Sequence, residues 1–351
     1  MNPADSPRAA VSAAWSRLPV ILLVEIALLV AFAVLPAFLE YFWVVFATRV
    51  LILGLLALSI DLIWGYAGIL CFGQALFFGA AAYTVAVIAR DLGIDSIFVV
   101  LPAAILVGFA LALLVGWFVL LGRLPPTPIF VALGTLTGTY VAERLALGWY
   151  FLGGQNGIPS IRPMTVAGHE LQEGVEYYYL AFGILVLVYL GCRWLMRSQF
   201  GLVLAGIRQL EPRITFLGYR PQTFKMIAFV LSGGIAGLAG GLIAFHDGFV
   251  WPNLMGVVLS TQVVLYVLLG GMGTLIGGII GAAAIELASF HLAERLPGYW
   301  PIALGLLMLL LILFRPTGIL GLVVPLRERS GTFGWRGAAP RDKEADGDAA
   351  A

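Results

Sequence analysis

The chain has 351 residues and a formal net charge of +1, and it is 61% hydrophobic but only 11% charged. Its mean hydropathy is +1.00, and apolar runs of about 20 residues, the length that crosses a bilayer core, recur along it. This composition excludes a soluble multidomain protein, and no basic patch interleaved with aromatics points to nucleic acid. It predicts an all-α polytopic membrane protein.

The N-terminal segment 1–18 is polar and weakly basic, and the apolar run behind it is too long for a signal-peptide core, which predicts an uncleaved anchor. Ten segments are predicted to span the membrane: 20–39, 42–60, 67–89, 97–121, 126–148, 177–196, 225–246, 257–270, 274–291 and 301–323. The eighth and ninth share one apolar stretch that only GGMGT at 270–274 interrupts. The prediction is therefore eight to ten transmembrane helices within a membrane domain at 19–325.

Arginine and lysine in short loops predict the orientation. The loop 197–225 holds five basic residues against one acid, and the C-terminal tail is also rich in arginine, whereas the loop 149–176 is mainly acidic. The first two are therefore predicted to be cytoplasmic and the third external. Ten spans with both termini in the cytoplasm satisfy all three placements, and the Gly-, Ala- and charge-rich tail 326–351 is predicted to be disordered.

Glycine recurs at every fourth position in two runs, at 233, 237 and 241 and at 273, 277 and 281. This spacing produces a flat helix face that allows close contact with another helix, either inside the chain or at a subunit interface. A weak internal repeat relates WGYAGIL near 64 to LGGMGTL near 269. Both copies predict a Gly-rich helix break, and repeated breaks often line the path of a transporter.

Catalytic and metal-binding motifs are missing from the sequence. The two lysines, Lys225 and Lys343, do not complete a P-loop, and no GxSxG elbow occurs. The two cysteines, Cys71 and Cys192, lie in apolar runs, and the three histidines are scattered without metal-ligand spacing. We therefore expect no enzyme activity, no metal and no cofactor in this chain.

Few charged residues fall inside the predicted spans. Arg49, Glu143 and Glu286 all lie in the outer part of their spans under the predicted topology. Two interpretations stay open: the three charges neutralise one another, or they present charge to an arriving zwitterion. A proton or sodium pump usually carries membrane-embedded acids as a relay, and these residues give such a mechanism little support.

The segment RQLEPRITFLGYRP at 208–221 is the one compact polar stretch between apolar runs. The residues from Gln199 to Leu210 predict a short helix, Pro212 fits the first turn of a second helix, and Gly218 can end that helix in the left-handed conformation. The pattern predicts a short amphipathic knob on the cytoplasmic side. It is either a solvated loop with snorkelling arginines or a docking helix for a cytoplasmic partner.

Five segments stand out in chain order: the Gly-rich DLIWGYAGILCFGQALFFGAAAYTVAV, GGQNGIPSI, FGLVLAGIRQLEPRITFLGYRPQTFKMIAFVLSGGIAGLAGGL, GGMGTLIGGIIGA and FRPTGILGL. Together they resemble the LivM-type branched-chain amino acid permease family of ATP-binding-cassette (ABC) importers, in which the second corresponds to an external loop and the third to the coupling loop and the following helix. They occur in the family's order and spacing over roughly residues 45–325. LSIDLIWGYAG and FLGYRP are also similar to the urea-permease branch of the same family.

The resemblance implies a permease subunit that translocates branched-chain amino acids, with urea or short amides as the alternative substrate. It implies that separate ATPase subunits bind the ATP, that a soluble binding protein delivers the substrate, and that a second permease subunit completes a heterodimer in the bacterial inner membrane. An ion-coupled secondary transporter is the alternative from another class.

Within this reading the coupling loop 197–224 contacts the ATPase. Its expected coupling residues are Arg208, Glu211, Arg213 and Gly218. The expected residues near the substrate path are Gln74, Tyr83, Gln155 and Asn156. Two departures from the family pattern concern these sites: Cys71 and Gln74 stand where the family has Ser and often His, and Pro212 and Arg213 replace the Ala pair of the coupling motif.

Overall fold

A computed structural model describes residues 20–120 and 127–295, and beyond these only the isolated positions 299, 302, 305, 306, 309, 318 and 319. The predicted N-terminal segment, the tail and nearly all of the tenth span therefore lie outside the described residues. Within the described part the chain is almost entirely helical. A two-residue β-hairpin, β1 (Thr165–Val166) and β2 (His169–Glu170), is its only sheet.

Ten helices follow one another in the described residues. They are α1 Val20–Val34, α2 Tyr41–Ile60, α3 Gln74–Val87, α4 Ile97–Leu120, α5 Pro128–Gly148, α6 Val175–Arg197, α7 Gln199–Phe216, α8 Pro221–Asp247, α9 Val257–Gly270 and α10 Ile276–Arg295. Wider π-helical turns extend α2 through Asp61–Tyr66 and α3 through Ile88–Leu92.

Six of these helices are long and apolar enough to cross a membrane: α2, α3, α4, α6, α8 and α10. The apolar helices α1 and α9 are shorter. Helix α5 has 21 residues but is not among the six, since threonines, Glu143 and Arg144 lower its hydropathy. The prediction of an all-α polytopic membrane protein is confirmed, and nine of the ten predicted spans correspond to helices in the described residues.

The third predicted span is wrong at its beginning. We expected a helix over 67–89, but α3 begins at Gln74, and the residues between Ala67 and Gly73 are not helical. Gly68 and Gly73 lie in this interval, and glycine is a weak helix former. The predicted break at 270–274 is present, since α9 ends at Gly270 and α10 begins at Ile276.

Helices α2 and α8 form the centre of the molecule. Helix α8 packs against α4, α3 and α2, while α2 also contacts α6 and α10. A Cβ atom at Gly237 of α8 would lie 3.0 Å from the Gly108 Cα of α4, so the two backbones approach to a distance that only small residues allow. The first predicted glycine face is thus an internal packing surface.

Three of the charges inside helices have partners within the protein. Glu25 of α1 forms an ion pair with Arg193 of α6, and Glu286 of α10 accepts hydrogen bonds from Gln262, at 2.9 Å, and from Tyr266 of α9. Among Arg49, Glu143 and Glu286, no two side chains form a salt bridge within 4.0 Å. No direct ion pair joins these three charges, and their mutual neutralisation at longer range stays a prediction.

The connections between helices gather at two opposite ends of the bundle. At one end, the Ile158 and Val250 backbones form a bridge, and the Thr165 N–H donates to the Asp95 carbonyl at 2.8 Å. At the other end lie the breaks near Gly65 and Gly273 and the polar segment of α7. This grouping matches the predicted topology, in which 149–176 and 197–225 lie on opposite sides of the membrane.

Replacing Gly237 with leucine should destabilise the α4–α8 contact, because the larger side chain would overlap the α4 backbone. Overpacking of this kind costs about 1–3 kcal/mol, so we expect a lower midpoint of thermal unfolding in detergent. The matched control is Gly191→Leu on α6, where a Cβ would meet nothing within 4 Å. Equal midpoints for the two variants would contradict the proposed close contact.

Candidate functional site

The non-helical residues from Ala67 to Gly73 run inside the helix bundle, and three side chains from two helices, α5 and α9, satisfy the backbone polar groups of Phe72. The Phe72 N–H donates to the Thr135 hydroxyl at 3.1 Å, and the Phe72 carbonyl accepts from Thr139 at 2.9 Å and from Ser260 at 2.5 Å. Irregular backbone at membrane depth is tolerated only where it is buried in protein or lines a cavity. The hydroxyls of α5 and α9 meet this requirement.

Gln74 begins α3 directly after the break and is fully buried. Its Oε1 accepts from the Ser59 hydroxyl at 3.2 Å, and its Nε2 donates to the Ser232 hydroxyl at 2.7 Å. Ser232 in turn donates to the Ser59 carbonyl at 2.6 Å. The side chain of Gln74 thus joins α2, α3 and α8 at the point where α3 starts.

Asp61 connects two helix breaks. The first break is the non-helical segment 67–73 before α3, and the second is the segment 271–275 between α9 and α10. Asp61 lies in the π-helical turn at the end of α2 and is fully buried. Its two carboxylate oxygens accept from the Gly273 N–H at 2.6 Å and from the Leu275 N–H at 2.7 Å. A Cβ at Gly65 would lie 2.8 Å from the Gly273 nitrogen, so the two copies of the weak internal repeat meet in space at their glycines.

Arg208 of α7 lies against both breaks. Its guanidinium donates to the Gly65 carbonyl. A Cβ built at Gly68 would lie 3.1 Å from the Arg208 Cγ, and a Cβ built at Gly273 would lie 3.4 Å from the Arg208 Nη1. The arginine therefore joins the polar knob to the junction that Asp61 holds together. A movement of α7 would reach both breaks through this one side chain.

Helix α7 has the predicted two-part form. Its only non-helical position is Leu210, with φ −154° and ψ 86°, so the second part begins around Glu211 and Pro212 as predicted. Gly218 follows the helix with φ +87°, in the left-handed region where glycine is favoured. Both local predictions are confirmed.

The second part of α7 projects from the bundle. The side chains of Phe216 and Leu217 are 91% and 68% exposed, and Arg213 and Gly218 are also exposed. Glu211 accepts from Lys225 of α8 at 2.7 Å. This ion pair holds the base of the knob against α8, while its tip stays accessible.

A cavity of about 170 Å³ lies between the knob and the first break. Its lining combines Ala67 and Gly68 of the break, Pro128 and Val131 of α5, and the charged residues Arg208, Glu211 and Lys225. The first break is thus packed at one end by hydroxyls and open at the other to a polar cavity.

The four predicted path residues do not gather in one place. Gln74 is buried in the network described above, and Tyr83, nine residues further along α3, is 2% exposed with a hydroxyl that has no hydrogen-bond partner among the described residues. Gln155 and Asn156 are exposed on a short 3-10 turn at the other end of the bundle. By contrast, Arg208 and Glu211 share the inner cavity.

Several residues of this site were not singled out from the sequence: Asp61, Thr135, Thr139, Ser232 and Ser260. Each is a small polar residue inside an apolar helix, and each is buried. Polar residues in spans are costly unless paired, so their positions were the available signal. The described residues contain no group of three or more His, Cys, Asp or Glu side chains that could hold a metal ion.

Comparisons with known proteins agree with one another. A family model described as branched-chain amino acid transport system / permease component matches residues 42–314. The high-affinity branched-chain amino acid transport system permease protein LivM of Salmonella typhimurium is 31% identical over 310 residues, 81% of this chain and 72% of that protein. LivM of Escherichia coli K12 is 30% identical over 324 residues, which cover 86% of this chain and 75% of that protein.

A more distant relative is the autoinducer 2 import system permease protein LsrC of Salmonella paratyphi B. It is 31% identical over 235 residues, which cover 61% of this chain and 62% of that protein. No solved structure matches the chain.

Replacing Asp61 with asparagine should loosen the junction of the two breaks. The amide would keep one acceptor but would turn an NH₂ group toward a backbone N–H, and a buried donor left unpaired costs about 1–3 kcal/mol. We expect a lower thermal midpoint and faster proteolysis. The control Asp91→Asn affects an exposed ion pair with Arg90 and should change stability by no more than about 0.5 kcal/mol; an equally mild effect of Asp61→Asn would contradict the assigned role.

Proposed function

This chain belongs to the family of branched-chain amino acid transport system permease components, and from that premise we propose that it is the membrane subunit of an ABC importer for branched-chain amino acids. As a member of this family it is a multi-pass membrane permease of the LivM type, and the relatives it matches are transport proteins rather than enzymes. The proposal adds the energy source, the direction and the partners.

The contact of Arg208 with both helix breaks is the observation that carries the proposal. An importer of this kind must convert a movement at its cytoplasmic face into a rearrangement of its membrane-spanning helices. Arg208 lies in α7, and its guanidinium bonds the Gly65 carbonyl at the end of α2. Asp61 then joins that position to the turn before α10. A push on α7 is thereby transmitted to two broken helices together.

The exposed knob supports an ATPase partner. Phe216 and Leu217 are apolar and largely exposed at the tip, with Arg213 beside them. Exposed apolar residues rimmed by polar ones mark interaction sites, and this end of the bundle is the one that the positive-inside rule assigns to the cytoplasm. We assign Glu211, Arg213 and Gly218 to the docking surface and Arg208 to transmission. ATP is bound by the partner subunits and not by this chain.

Helix α5 supports a second permease subunit. It is not among the six helices that are long and apolar enough to cross a membrane. Thr137, Tyr140 and Arg144 are exposed on it, and the Arg144 guanidinium lies 5.1 Å from the centre of the Tyr140 ring. Leu133, Val141 and Leu145 are exposed on the same helix, so the Arg144 charge is the group for which lipid is a poor solvent. A second permease subunit, similar but not identical, covers this face in the proposed heterodimer.

The proposed orientation follows from the charges of the loops. The end that carries Gln155, Asn156 and the β-hairpin faces outward in the bacterial inner membrane, and a soluble binding protein delivers the substrate there. Both termini lie in the cytoplasm. Gln155 and Asn156 are exposed to such a partner, whereas Gln74 acts in packing where α3 begins.

ATP-dependent uptake into vesicles tests the proposal. The chain is co-expressed with the ATPase, permease and binding-protein genes that neighbour it, and labelled leucine and labelled urea are compared with and without ATP and the binding protein. We expect leucine uptake that requires both, because energy and substrate delivery reside in other polypeptides.

The outcomes separate the alternatives. Uptake of urea but not leucine under the same two requirements would replace the substrate and keep the importer. Leucine uptake that ignores ATP and follows a proton or sodium gradient would contradict the importer and indicate a secondary transporter. The control omits this chain and should abolish uptake in either case.

A further inference from the structure

A second and larger cavity opens at the opposite end of the bundle from the knob. Its volume is about 610 Å³, and it lies among α2, α8 and the segment before α6. The lining residues are Val45, Arg49, Glu173, His246, Asp247, Phe249 and Trp251. This volume falls within the range of about 300–1,000 Å³ that is usual for small-molecule sites, but the space is wide open to the surface rather than enclosed. It is separate from the inner cavity and shares no residue with it.

The charged groups of this outer cavity lie close enough to influence one another, but no close salt bridge joins them. In the described part of the chain Arg49 forms no salt bridge within 4.0 Å, and the Asp247 Oδ2 is buried without a hydrogen-bond partner. His246 is only 3% exposed, and its Nδ1 also has no partner among these residues. Buried polar atoms normally find partners, so these atoms point to a polar ligand.

The cavity also has an apolar wall and a fixed geometry. The rings of Phe249 and Trp251 stack with centroids 5.2 Å apart, and Val45 adds aliphatic surface. The Tyr177 ring stacks on His246 at 5.7 Å, while the Tyr177 hydroxyl donates to the Leu242 carbonyl at 2.6 Å. The imidazole is therefore held in place rather than free to turn away.

We propose that this outer cavity is a binding site for a zwitterionic α-amino acid with an aliphatic side chain. Arg49 takes the carboxylate in a charge-assisted pair, Glu173 and Asp247 take the ammonium group, and Phe249 and Trp251 contact the side chain. This inference rests on the proposed function and deepens it, because it names a site in the permease where the substrate is held on the outer side.

The chemistry of the cavity distinguishes an amino acid from urea. Two acidic residues and one arginine face the same space, which matches a ligand with one ammonium and one carboxylate. Urea has neither charge and no surface for the aromatic wall. The second interpretation of the intramembrane charges, presentation to an arriving zwitterion, is therefore kept for Arg49 alone.

Equilibrium binding of tritiated leucine to the transporter in nanodiscs, without ATP and without binding protein, tests the site. Isoamylamine lacks the carboxylate and 4-methylpentanoate lacks the ammonium group, so each should compete about tenfold or more weakly than leucine, since a hydrogen bond to a charged group contributes about 1.5–3 kcal/mol. Urea should not compete.

Two variants test which residue binds the carboxylate and which binds the ammonium group. In Arg49→Gln, leucine should lose its advantage over isoamylamine, and in Glu173→Gln it should lose its advantage over 4-methylpentanoate. A change in selectivity identifies the contact even if a variant is partly destabilised. The control Arg162→Gln removes an exposed charge from the external loop and should keep both preferences.

Failure of the site and failure of the function give different results. If wild-type protein shows no leucine binding, or if Arg49→Gln keeps the preference for leucine over isoamylamine, the site is contradicted. ATP-driven leucine uptake measured in the same preparation then shows whether the importer stands without it.

Discussion

The demand that every backbone polar group inside a membrane find a partner shapes this protein more than any other constraint. Each unsatisfied group in lipid costs several kcal/mol, so a helix can break at membrane depth only where other segments supply hydrogen bonds. The first break receives them from Thr135, Thr139 and Ser260, and the second receives them from Asp61. The breaks are therefore stable only in the assembled bundle, where other helices supply their hydrogen-bond partners.

This dependence gives the molecule a mechanical consequence. A continuous helix resists bending, whereas a break held by a few side-chain hydrogen bonds has a small number of alternative arrangements. Both breaks touch the same arginine on α7, and α7 leads to the exposed knob. The transport step we propose is a change of the two breaks together, driven from the cytoplasmic end. The outer cavity lies on the other side of this junction and would hold the substrate before that change.

Much of the architecture could be predicted because bilayer thickness and hydropathy constrain it. The helices over nine predicted spans, the break at Leu210, the left-handed Gly218 and the grouping of loops all followed from composition, proline and glycine. The Gly-rich break near residue 64 was predicted, but the exact start of α3 was not, because the hydroxyls that satisfy Phe72 come from residues more than sixty positions away in sequence. No local pattern reports such a partner.

The site residues also divide into those that local sequence identifies and those that depend on contacts between distant segments. Arg208 was identified from the charge pattern of its segment, but its contact with Gly65 depends on how α7 folds back onto α2. Gln74 was expected near the substrate path from the family resemblance, and the structure buries it between Ser59 and Ser232. The outer cavity combines Arg49, Glu173 and Asp247 from three separate segments, and sequence spacing does not reveal that they share one space.

The ratio of leucine transported to ATP hydrolysed, measured for Arg208→Gln in the assembled transporter, tests the central claim most directly. The account predicts that this variant still binds the ATPase and hydrolyses ATP, while the ratio falls roughly tenfold through loss of a charge-assisted bond. Arg220→Gln, which removes an exposed charge from the same segment, should leave the ratio unchanged. An unchanged ratio in Arg208→Gln would contradict transmission through the junction of the two breaks.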